Sequence, residues 1–526
     1  MNIVAEPNVL PLPATHPWLR PGATCWRQEF ARRVALLHDG SGYFGAAWRS
    51  LRAARHTILL IGCSFDPRMC LRPDGSHASG GEAMAGLLRR LKAERPDLEI
   101  RLLIWNMPWP ISAQSDMKPD AIRASLGEDI TFAVDGTLPF GACHHQKILV
   151  IDDRIAFCGG SDFEANRWDT PAHRDRDPRR RLPSGEAYPP RHDVMMLVDG
   201  AAAQALGEIA RQRWCDATGE RLDAASPRGE ADPWPAGISP DFENVPVALA
   251  RTIPAAVESP AIRESEALYR TAIREARNVI YLENQYFTSP LVAAALAERL
   301  AEAEGPEIIV VVAERSPNGF DRLTMDSARR GLIAHLRAAD RFDRFRIVAP
   351  HTENGRPILV HSKVAVFDDR LLRVGSTNLN NRSFGYDTEC DLAIEASLCP
   401  DETKARATIA YVRNAVIAHH AGCPRDTFLK AAAEKGSLRA ALDDRDLVQP
   451  ARLCPVVASR RGALARFVEA WYLLGDPFDR ADAWRPWRRR RALRRTRYRW
   501  LGSGDDHAQR SAAAHPRSGP AAPGMP

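Results

Sequence analysis

A short motif that the chain contains twice constrains its fold and chemistry more than any other feature. The first copy runs from His145 to Asp152 as His-Gln-Lys-Ile-Leu-Val-Ile-Asp, and the second runs from His361 to Asp368 as His-Ser-Lys-Val-Ala-Val-Phe-Asp. In both copies a glycine follows fourteen residues after the His. A single His-x-Lys pair carries little information. Two copies with matched spacing predict a duplicated domain with one functional segment in each half.

The secondary structure predicted from the hydrophobic pattern repeats in the same order. In the first half we predict helices over Gly42–Arg55, Gly81–Arg95 and Ala121–Leu126, and strands over residues 57–63, Leu98–Trp105, Ile130–Val134, Lys147–Ile151 and Arg154–Cys158. In the second half we predict helices over Glu264–Arg277, Pro290–Glu304 and Asp321–Ala338, and strands over Val279–Phe287, Glu307–Ala313 and Phe345–Ala349. Strands that alternate with helices are typical of a mostly parallel sheet covered by helices. The sequence therefore predicts an α/β protein made of two duplicated α/β/α sandwich domains.

Composition divides the rest of the chain. We predict an N-terminal extension (1–40) that is irregular at first and then helical, a first repeat (41–215), a linker (216–250), a second repeat (251–425), a helical C-terminal region (426–500) and a disordered tail (501–526). In the C-terminal region we predict helices over Thr427–Leu442 and Arg460–Leu474. The first repeat carries an insertion, Pro171–Arg191, which is rich in Arg, Asp and Pro. Its composition predicts a loop, which is either a substrate-side loop beside the motif or a solvated insertion without a role.

The use of lysine and arginine is uneven. Only seven of the 72 basic residues are lysine, yet Lys147 and Lys363 occupy the matched motif positions. This choice indicates that a compact ammonium group is required there. The net charge of +6 is also uneven, because residues 484–500 contain nine Arg and no acidic residue. That Arg/Trp-rich segment suits a membrane surface, a nucleic acid or a merely solvated tail.

The sequence also bears on location. No apolar run approaches the roughly 18–20 residues that span a bilayer, and the N-terminus lacks the basic and apolar parts of a secretory signal peptide. The ten cysteines occur singly, without the paired spacing of a disulfide framework, which indicates a reducing compartment. We expect a cytoplasmic or peripheral membrane protein without a transmembrane segment, with secretion by a non-Sec route left open.

The motif residues together favour chemistry at phosphorus. A neutral imidazole can attack a phosphodiester, and a second, protonated imidazole can donate a proton to the departing alkoxide. The two lysines, with Ser376, Asn378 and the backbone amides of Gly159–Gly160, can hold phosphate oxygens. Both motifs lack the ligands that Mg²⁺ or Zn²⁺ requires, so we predict no metal and no cofactor. In a strand, His145 and Lys147 point to the same face, as do His361 and Lys363. Asp152 has the opposite strand parity from His145, which indicates a supporting role for it.

At this point the pattern resembles the phospholipase D superfamily. Its signature is His-x-Lys-x4-Asp-x6-Gly-(Ser/Gly)-x-(Asn/Asp), present twice in one chain. The second copy, HSKVAVFDDRLLRVGSTNLNNRS, matches it throughout. The first copy has Gly160 in place of Ser376 and Asp162 in place of Asn378. The resemblance implies that a pseudo-two-fold axis relates the domains and that the active site lies at their interface.

The departure of the first copy indicates a branch of the superfamily. The doubled His144-His145, the Gly-Gly-x-Asp sequence and Arg167-Trp168-Asp169 resemble the phosphatidylcholine-type phospholipases D of eukaryotes and their bacterial relatives. The strand Tyr281–Phe287 and the element around His192-Asp193 are also similar to that group. Cardiolipin synthases usually carry Gly-Ser-x-Asn in both copies.

The resemblance implies a metal-independent reaction in two steps through a phosphohistidine. In the family the N-terminal His is usually the nucleophile, here His145, with His361 as general acid, although sequence symmetry does not establish this order. The resemblance also implies that Glu389 supports His145 and that Asp193 supports His361. The residues predicted to be catalytic are His145, Lys147, Asp152, His361, Lys363 and Asp368; those predicted to bind phosphate or to support are Gly160, Asp162, Asp193, Ser376, Asn378 and Glu389.

Several functions remain open. The resemblance favours a phospholipase D that hydrolyses phosphatidylcholine-like lipids at a membrane surface, with transphosphatidylation as a second outcome. The alternatives are a cardiolipin or other phospholipid synthase, a nuclease of the same superfamily, and an inactive membrane-binding scaffold. We expect a phospholipid rather than a nucleic acid as the partner. A monomer suffices for chemistry, because both motifs lie in one chain.

Overall fold

The computed structural model describes residues 16–73, 81–107, 117–139, 141–225, 232–256, 259–317, 319–449, 451–456 and 476. The predicted helix over Arg460–Leu474, the Arg/Trp-rich segment (484–500) and the predicted disordered tail (501–526) lie outside the described residues.

The first half alternates strands and helices as predicted. Its elements are β1 (Arg27–His38), α1 (Asp39–Ala53), β2 (Thr57–Gly62), α2 (Met84–Glu94), β3 (Glu99–Trp105), α3 (Pro119–Leu126), β4 (Thr131–Asp135), β5 (Ile148–Ile151), β6 (Ile155–Gly159), β7 (Arg191–His192), β8 (Val194–Asp199) and α4 (Gly200–Thr218). Helix α2 shows why these residues fold this way. Its buried Met84, Leu87, Leu88 and Leu91 recur at the spacing of one helix face.

The second half repeats this order and then adds helices. Its elements are β9 (Phe242–Ile253), β10 (Ile262–Arg263), α5 (Glu264–Glu275), β11 (Val279–Asn284), α6 (Pro290–Ala301), β12 (Glu307–Val312), α7 (Gly319–Ala339), β13 (Phe345–Pro350), β14 (Leu359–Val360), β15 (Lys363–Phe367), β16 (Leu371–Gly375), α8 (Asn381–Gly385), β17 (Glu389–Glu395), a 3₁₀ helix (Ala396–Leu398), α9 (Glu402–Ala421), α10 (Arg425–Lys435), α11 (Leu438–Leu442) and β18 (Leu453–Pro455). The single helix predicted over Thr427–Leu442 is therefore two helices, because Gly436 adopts a left-handed conformation and ends the first of them.

One mixed sheet runs through both halves. Its strand order is β18-β13-β12-β11-β15-β16-β17-β9-β1-β8-β6-β5-β2-β3-β4, with β10 paired to β9. The order on either side of the central β9–β1 pair is the same from β17 to β13 and from β8 to β4, whereas β18 and β10 of the second half have no counterpart among the described strands of the first. This arrangement agrees with the predicted duplication and pseudo-two-fold relation.

The α/β class is confirmed, but the pairing differs from the mostly parallel sheets predicted. Among the described strands of the large sheet, parallel pairing is confined to β2–β3–β4 and β11–β12–β13. The remaining pairs are antiparallel, including the motif hairpins β5–β6 and β15–β16. The alternation of strands and helices predicts parallel pairs, but the motif strands follow one another through tight turns, which join antiparallel neighbours.

Helices cover both faces of the sheet, as the predicted sandwich requires. On one face α4 and α9 share a single apolar core that includes strands of both halves. On the other face α1–α3 pack on the first half, and α5–α7 pack on the second half. The shared core and the continuous sheet hold the two halves in one orientation. That fixed orientation is what allows side chains from both halves to form one site.

The central strands lie outside the ranges predicted for the repeats. Strand β1 lies within the predicted extension, where the sequence predicted a helix, and β9 begins within the predicted linker. The two strands pair antiparallel with each other, from Arg27 opposite Leu249 to Val34 opposite Phe242. We therefore propose that the repeats begin at β1 and β9. Across the described residues, every helix is too short or too polar to traverse a bilayer.

Candidate active site

The first motif histidine is held by a carboxylate from the other half. His145 Nδ1 lies 2.9 and 3.0 Å from the two carboxylate oxygens of Glu389. Glu389 is fully buried at the start of β17 and accepts a hydrogen bond from Ser376 Oγ. A proton on Nδ1 is fixed by this contact, which leaves the lone pair of Nε2 free for chemistry.

The second motif histidine has the equivalent support. His361 Nδ1 lies 2.8 Å from Asp193 Oδ2, and Ser161 Oγ donates to the same oxygen at 2.6 Å. Both crossed contacts agree with the arrangement that the resemblance implies. Since neither half supplies both a motif histidine and its carboxylate, each half depends on the other.

Backbone pairing between the halves positions these side chains. The amide of His145 donates to the carbonyl of Thr388 at 3.1 Å, and the amide of His361 donates to the carbonyl of His192 at 2.8 Å. Strands β7 and β14 form a small parallel sheet next to the second of these bonds. In each case the residue that accepts the bond directly precedes the supporting carboxylate residue, Glu389 or Asp193. The backbone pairing therefore brings each histidine next to its carboxylate.

The two motif lysines fold back over their own histidines. Lys147 Nζ donates to the carbonyl of His145 at 2.8 Å, and Lys363 Nζ donates to the carbonyl of His361 at 2.6 Å. Both lysine side chains are almost fully buried. The predicted placement of His and Lys on one side of the chain is consistent with these bonds, although β5 begins only at Ile148.

The lysines differ in their counter-charges. Lys147 Nζ lies 3.1 Å from Asp162 Oδ2, whereas Lys363 Nζ has Gln285 Oε1 as its side-chain partner at 3.2 Å. Burial alone would lower the pKa of Lys147, but the nearby Asp162 carboxylate raises that pKa above its usual range. Burial lowers the pKa of Lys363 to about 7 even though Asp193 acts in the opposite direction. The second motif has Asn378 at the position equivalent to Asp162, so Lys363 lacks the carboxylate that Lys147 has.

Both histidines are held in the neutral form. Burial lowers the pKa of His145, and the charges of Lys147 and Lys363 lower it further. Burial likewise lowers the pKa of His361, with Arg191 and Lys363 as the next contributors. Since Lys363 acts on both imidazoles, the two motifs share one electrostatic environment. A neutral imidazole is the form that can act as a nucleophile or a base.

The serine that holds each carboxylate occupies a different position in the two halves. Ser376 immediately follows Gly375 and holds the longer Glu389, whereas the first half has Gly160 there and uses the next residue, Ser161, to hold the shorter Asp193. A Cβ added at Gly160 would overlap the Asp193 carboxylate and contact the His361 carbonyl oxygen. The mismatch between the two motifs therefore has a structural cause, and Gly160 makes room for the Asp193–His361 pair.

The two motif aspartates are not at the reacting centre, contrary to their prediction as catalytic residues. Asp152 follows β5 at the end of the strand away from His145 and accepts hydrogen bonds from the backbone amides of Arg55, His56 and Thr57. Asp368 accepts three equivalent bonds, from the amides of Arg277, Asn278 and Val279. Each carboxylate satisfies the amides that precede the next strand of the sheet, which agrees with the supporting role indicated by strand parity.

Several residues near the site were not predicted. Ser161 and Gln285 contact the site directly through Asp193 and Lys363. Asn378, in contrast, was predicted to bind phosphate or to support; it is buried, and its Oδ1 has no hydrogen-bond partner among the described residues. His144 turns away to Asp135 Oδ1 at 2.8 Å. For Ser161 the sequence offered one signal, because it directly follows Gly160 in the first motif.

The insertion Pro171–Arg191 is an ordered part of this region. Arg180 pairs with Asp169 at 2.8 Å, and Tyr188 donates to the carbonyl of Trp168. Asp175 accepts hydrogen bonds from Thr352 and Asn354 of the second half. The insertion thus joins the two halves beside the site, which disfavours a merely solvated loop.

Comparison with known proteins agrees with this geometry. A family model described as "Cardiolipin synthase, PLD-like domain" matches residues 269–408, which include the whole second motif. Residues 269–408 are therefore similar to a phospholipase D-like domain. The chain is 25% identical to phospholipase D alpha 2 of Oryza sativa subsp. japonica over 76% of its own length, and 28% identical to phospholipase D A of Dictyostelium discoideum over 68%. It spans 66% and 32% of the length of those two relatives.

A solved structure supports the fold. The crystal structure of phosphatidylserine synthase from Haemophilus influenzae superposes with a TM-score of 0.50 at 12% identity, covering 73% of this chain and 86% of that one. The predicted resemblance to phospholipases D is therefore confirmed by the sequence comparisons, and the α/β fold is supported by this structure.

Proposed function

We propose that the protein is a phosphodiesterase of the phospholipase D type that acts on phospholipids. The observation that carries the proposal is the pair of buried histidines, each supported by a carboxylate from the opposite half, with a lysine beside each. The similarity to named phospholipases D supports lipid as the substrate class. The Gly160–Ser161 arrangement that accommodates Asp193 adds support, since it gives a structural reason for the Gly-Gly-x-Asp sequence. That sequence resembles the phosphatidylcholine-type phospholipases D.

In the first step His145 Nε2 attacks phosphorus. A P–N bond forms, the bond from phosphorus to the head-group oxygen breaks, and His361 Nε2 donates the proton that the departing alcohol takes up. The negative charge of the bound phosphodiester raises the pKa of His361 and so favours the protonated form that this step requires. The ammonium groups of Lys147 and Lys363 offset the charge on the non-bridging oxygens.

In the second step water replaces the head-group alcohol. The now neutral His361 accepts a proton from water, the hydroxyl oxygen bonds to phosphorus, and the P–N bond to His145 breaks. The products are phosphatidic acid and the free head-group alcohol. An alcohol in place of water gives transphosphatidylation by the same step. None of these steps uses a metal, and both histidines belong to one chain, so a monomer is sufficient.

A phospholipid synthase is the second candidate. The family model that matches residues 269–408 is named for cardiolipin synthase, and a synthase would use the same intermediate with a lipid alcohol as acceptor. Against it, Gly160 and Asp162 depart from the Gly-Ser-x-Asn sequence that usually occurs in both motifs of those enzymes. We propose peripheral contact with a membrane surface, and we propose that nucleic acid is not the substrate.

One experiment distinguishes these functions. The full chain is incubated with phosphatidylcholine with and without ethanol, with phosphatidylglycerol, and with single-stranded DNA, and products are identified by mass spectrometry. We expect phosphatidic acid, and phosphatidylethanol when ethanol is present. Cardiolipin from phosphatidylglycerol alone would establish the synthase, and nucleotides would contradict both. Replacing His145, Lys147, His361 or Lys363 should abolish turnover, so a His145→Asn protein with substantial choline release would contradict the role of that histidine.

A further inference from the structure

A second cluster of titratable side chains lies behind the His361–Asp193 pair. It consists of Asp39, His173, His192 and His419, and one ligand-type atom of each lies within 4.8 Å of all the others. Asp39, His173 and His192 are at most 2% exposed, and His419 is partly exposed. The four residues come from the start of α1, the insertion, β7 and the end of α9.

Two atoms of this cluster have no hydrogen-bond partner among the residues that the structure describes. They are Asp39 Oδ2 and His173 Nε2, both fully buried. The nearest approach between the two side chains, from His173 Nε2 to Asp39 Oδ1, is 3.6 Å, which is too long for a hydrogen bond. Buried polar atoms are nearly always satisfied in native proteins. Two unsatisfied atoms in one buried cluster indicate that something else binds there.

The outer nitrogens of the two buried histidines are already held. His173 Nδ1 lies 2.9 Å from Asp169 Oδ2, so the Nε2 lone pair of His173 faces the cluster. His192 Nε2 lies 3.2 Å from Glu283 Oε2, so its Nδ1 faces the cluster, 2.9 Å from Asp39 Oδ1. A carboxylate on the far nitrogen of a histidine is the usual partner of metal-binding imidazoles, because it fixes the tautomer and orients the ring.

We propose that Asp39, His173, His192 and His419 bind one divalent transition-metal ion, for which zinc is the best match. Three imidazoles and one carboxylate form a four-coordinate set typical of zinc, whereas Mg²⁺ and Ca²⁺ prefer oxygen ligands. The ion replaces the proton that otherwise lies between His192 and Asp39 and satisfies the two unpartnered atoms. The residues lie outside both motifs, which is why the sequence predicted no metal.

The position of the site defines its role. The Asp39 amide donates to the carbonyl of Asp193 at 2.8 Å, and His192 directly precedes Asp193. An ion at the cluster therefore ties α1, the insertion, β7 and α9 together behind the carboxylate that holds His361. Four protein ligands leave no open coordination position, so the ion is structural and does not take part in the proposed reaction.

The first test measures metal content. The full chain without a histidine tag is expressed with added zinc, dialysed, and analysed by inductively coupled plasma mass spectrometry beside His173→Ala, His419→Ala and the control His335→Ala, whose histidine is exposed on α7. We expect about one zinc per chain in the wild type and the control, and almost none in the two cluster variants. Wild-type protein without bound zinc, or cluster variants that keep it, would overturn the proposal.

The second test does not depend on the folding of any variant. Wild-type protein is stripped with a chelator and titrated with Co²⁺, and its visible spectrum and melting temperature are recorded. We expect the intense d–d absorption of tetrahedral Co²⁺ to saturate at one equivalent, and the melting temperature to recover with Co²⁺ or Zn²⁺. A spectrum like that of aqueous Co²⁺, or a melting temperature that no ion changes, would contradict a site at this cluster. Neither readout requires phospholipid turnover, so failure here is separate from failure of the proposed function.

Discussion

His145 Nδ1 and the Glu389 carboxylate are within 3.0 Å of each other although they belong to opposite halves of the chain. The equivalent contact, from His361 to Asp193, crosses in the other direction. The duplication therefore does not produce two independent sites. It produces one site whose two histidines have different supporting carboxylates, Glu389 for His145 and Asp193 for His361. The two halves of the site are therefore similar but not identical.

The two supporting carboxylates should affect different steps. Glu389→Gln and Asp193→Asn each replace the carboxyl group that holds an imidazole by an amide, and on phosphatidylcholine we expect either change to lower turnover by about 10²–10⁴-fold. A phosphatidyl p-nitrophenyl ester has a leaving group that needs no general acid. With that substrate we expect Asp193→Asn to keep a stoichiometric burst of nitrophenol and Glu389→Gln to slow it. The opposite result in stopped-flow measurements would exchange the roles of His145 and His361.

Asp152 should matter for stability and not for chemistry. Its carboxylate accepts hydrogen bonds from three backbone amides ahead of β2, so Asp152→Asn should lower the free energy of unfolding by about 1–3 kcal/mol. The turnover number per folded molecule should stay close to that of the wild type. Denaturant titration and kinetic assays check both, with the almost fully exposed Asp120→Asn as a neutral control. A well-folded Asp152→Asn protein without activity would show that the structural assignment is wrong.

The low pKa of Lys363 predicts a pH dependence. Burial lowers this pKa to about 7, so in the free enzyme the ammonium is present below pH 7 and is lost as the pH rises through that value. Because only the ammonium offsets phosphate charge, kcat/KM for a soluble short-chain phospholipid should fall above about pH 7. Asn378→Asp recreates the carboxylate that Lys147 has in Asp162, and it should move this fall to higher pH. The profiles of wild type and variant should not coincide if Lys363 is the group responsible.

Much of this arrangement was predictable from the repeated motif. The spacing from His145 to Gly159 and from His361 to Gly375 located both motifs, and the repeated element order predicted the duplicated α/β fold. Family resemblance supplied the crossed partners, Glu389 and Asp193, which the structure then placed within hydrogen-bond distance. These features are encoded locally or recur at matched offsets, so a single sequence is enough to find them.

Other features depend on contacts that no local pattern encodes. Strands β1 and β9 join the two halves into one sheet, but each was assigned to an extension or a linker, because neither belongs to a repeated β-α unit recognisable from its own sequence. The cluster of His173, His192 and His419 has no regular spacing, and its members meet only through the packing of the insertion and α9. Asp152 belongs to the motif, but its role depends on hydrogen bonds from backbone amides that precede the neighbouring strand. The sequence does not show that these amides lie beside it.

The covalent intermediate tests the central claim most directly. The enzyme is mixed with the phosphatidyl p-nitrophenyl ester, quenched during the first turnover in denaturant at alkaline pH, digested, and mapped by mass spectrometry. The His361→Ala protein serves as the variant that should accumulate the adduct, and His145→Ala serves as the negative control. We predict a phosphatidyl group on His145 in the wild type and in His361→Ala, and none in His145→Ala. An adduct on His361, or product formation without any adduct on histidine, would contradict the account.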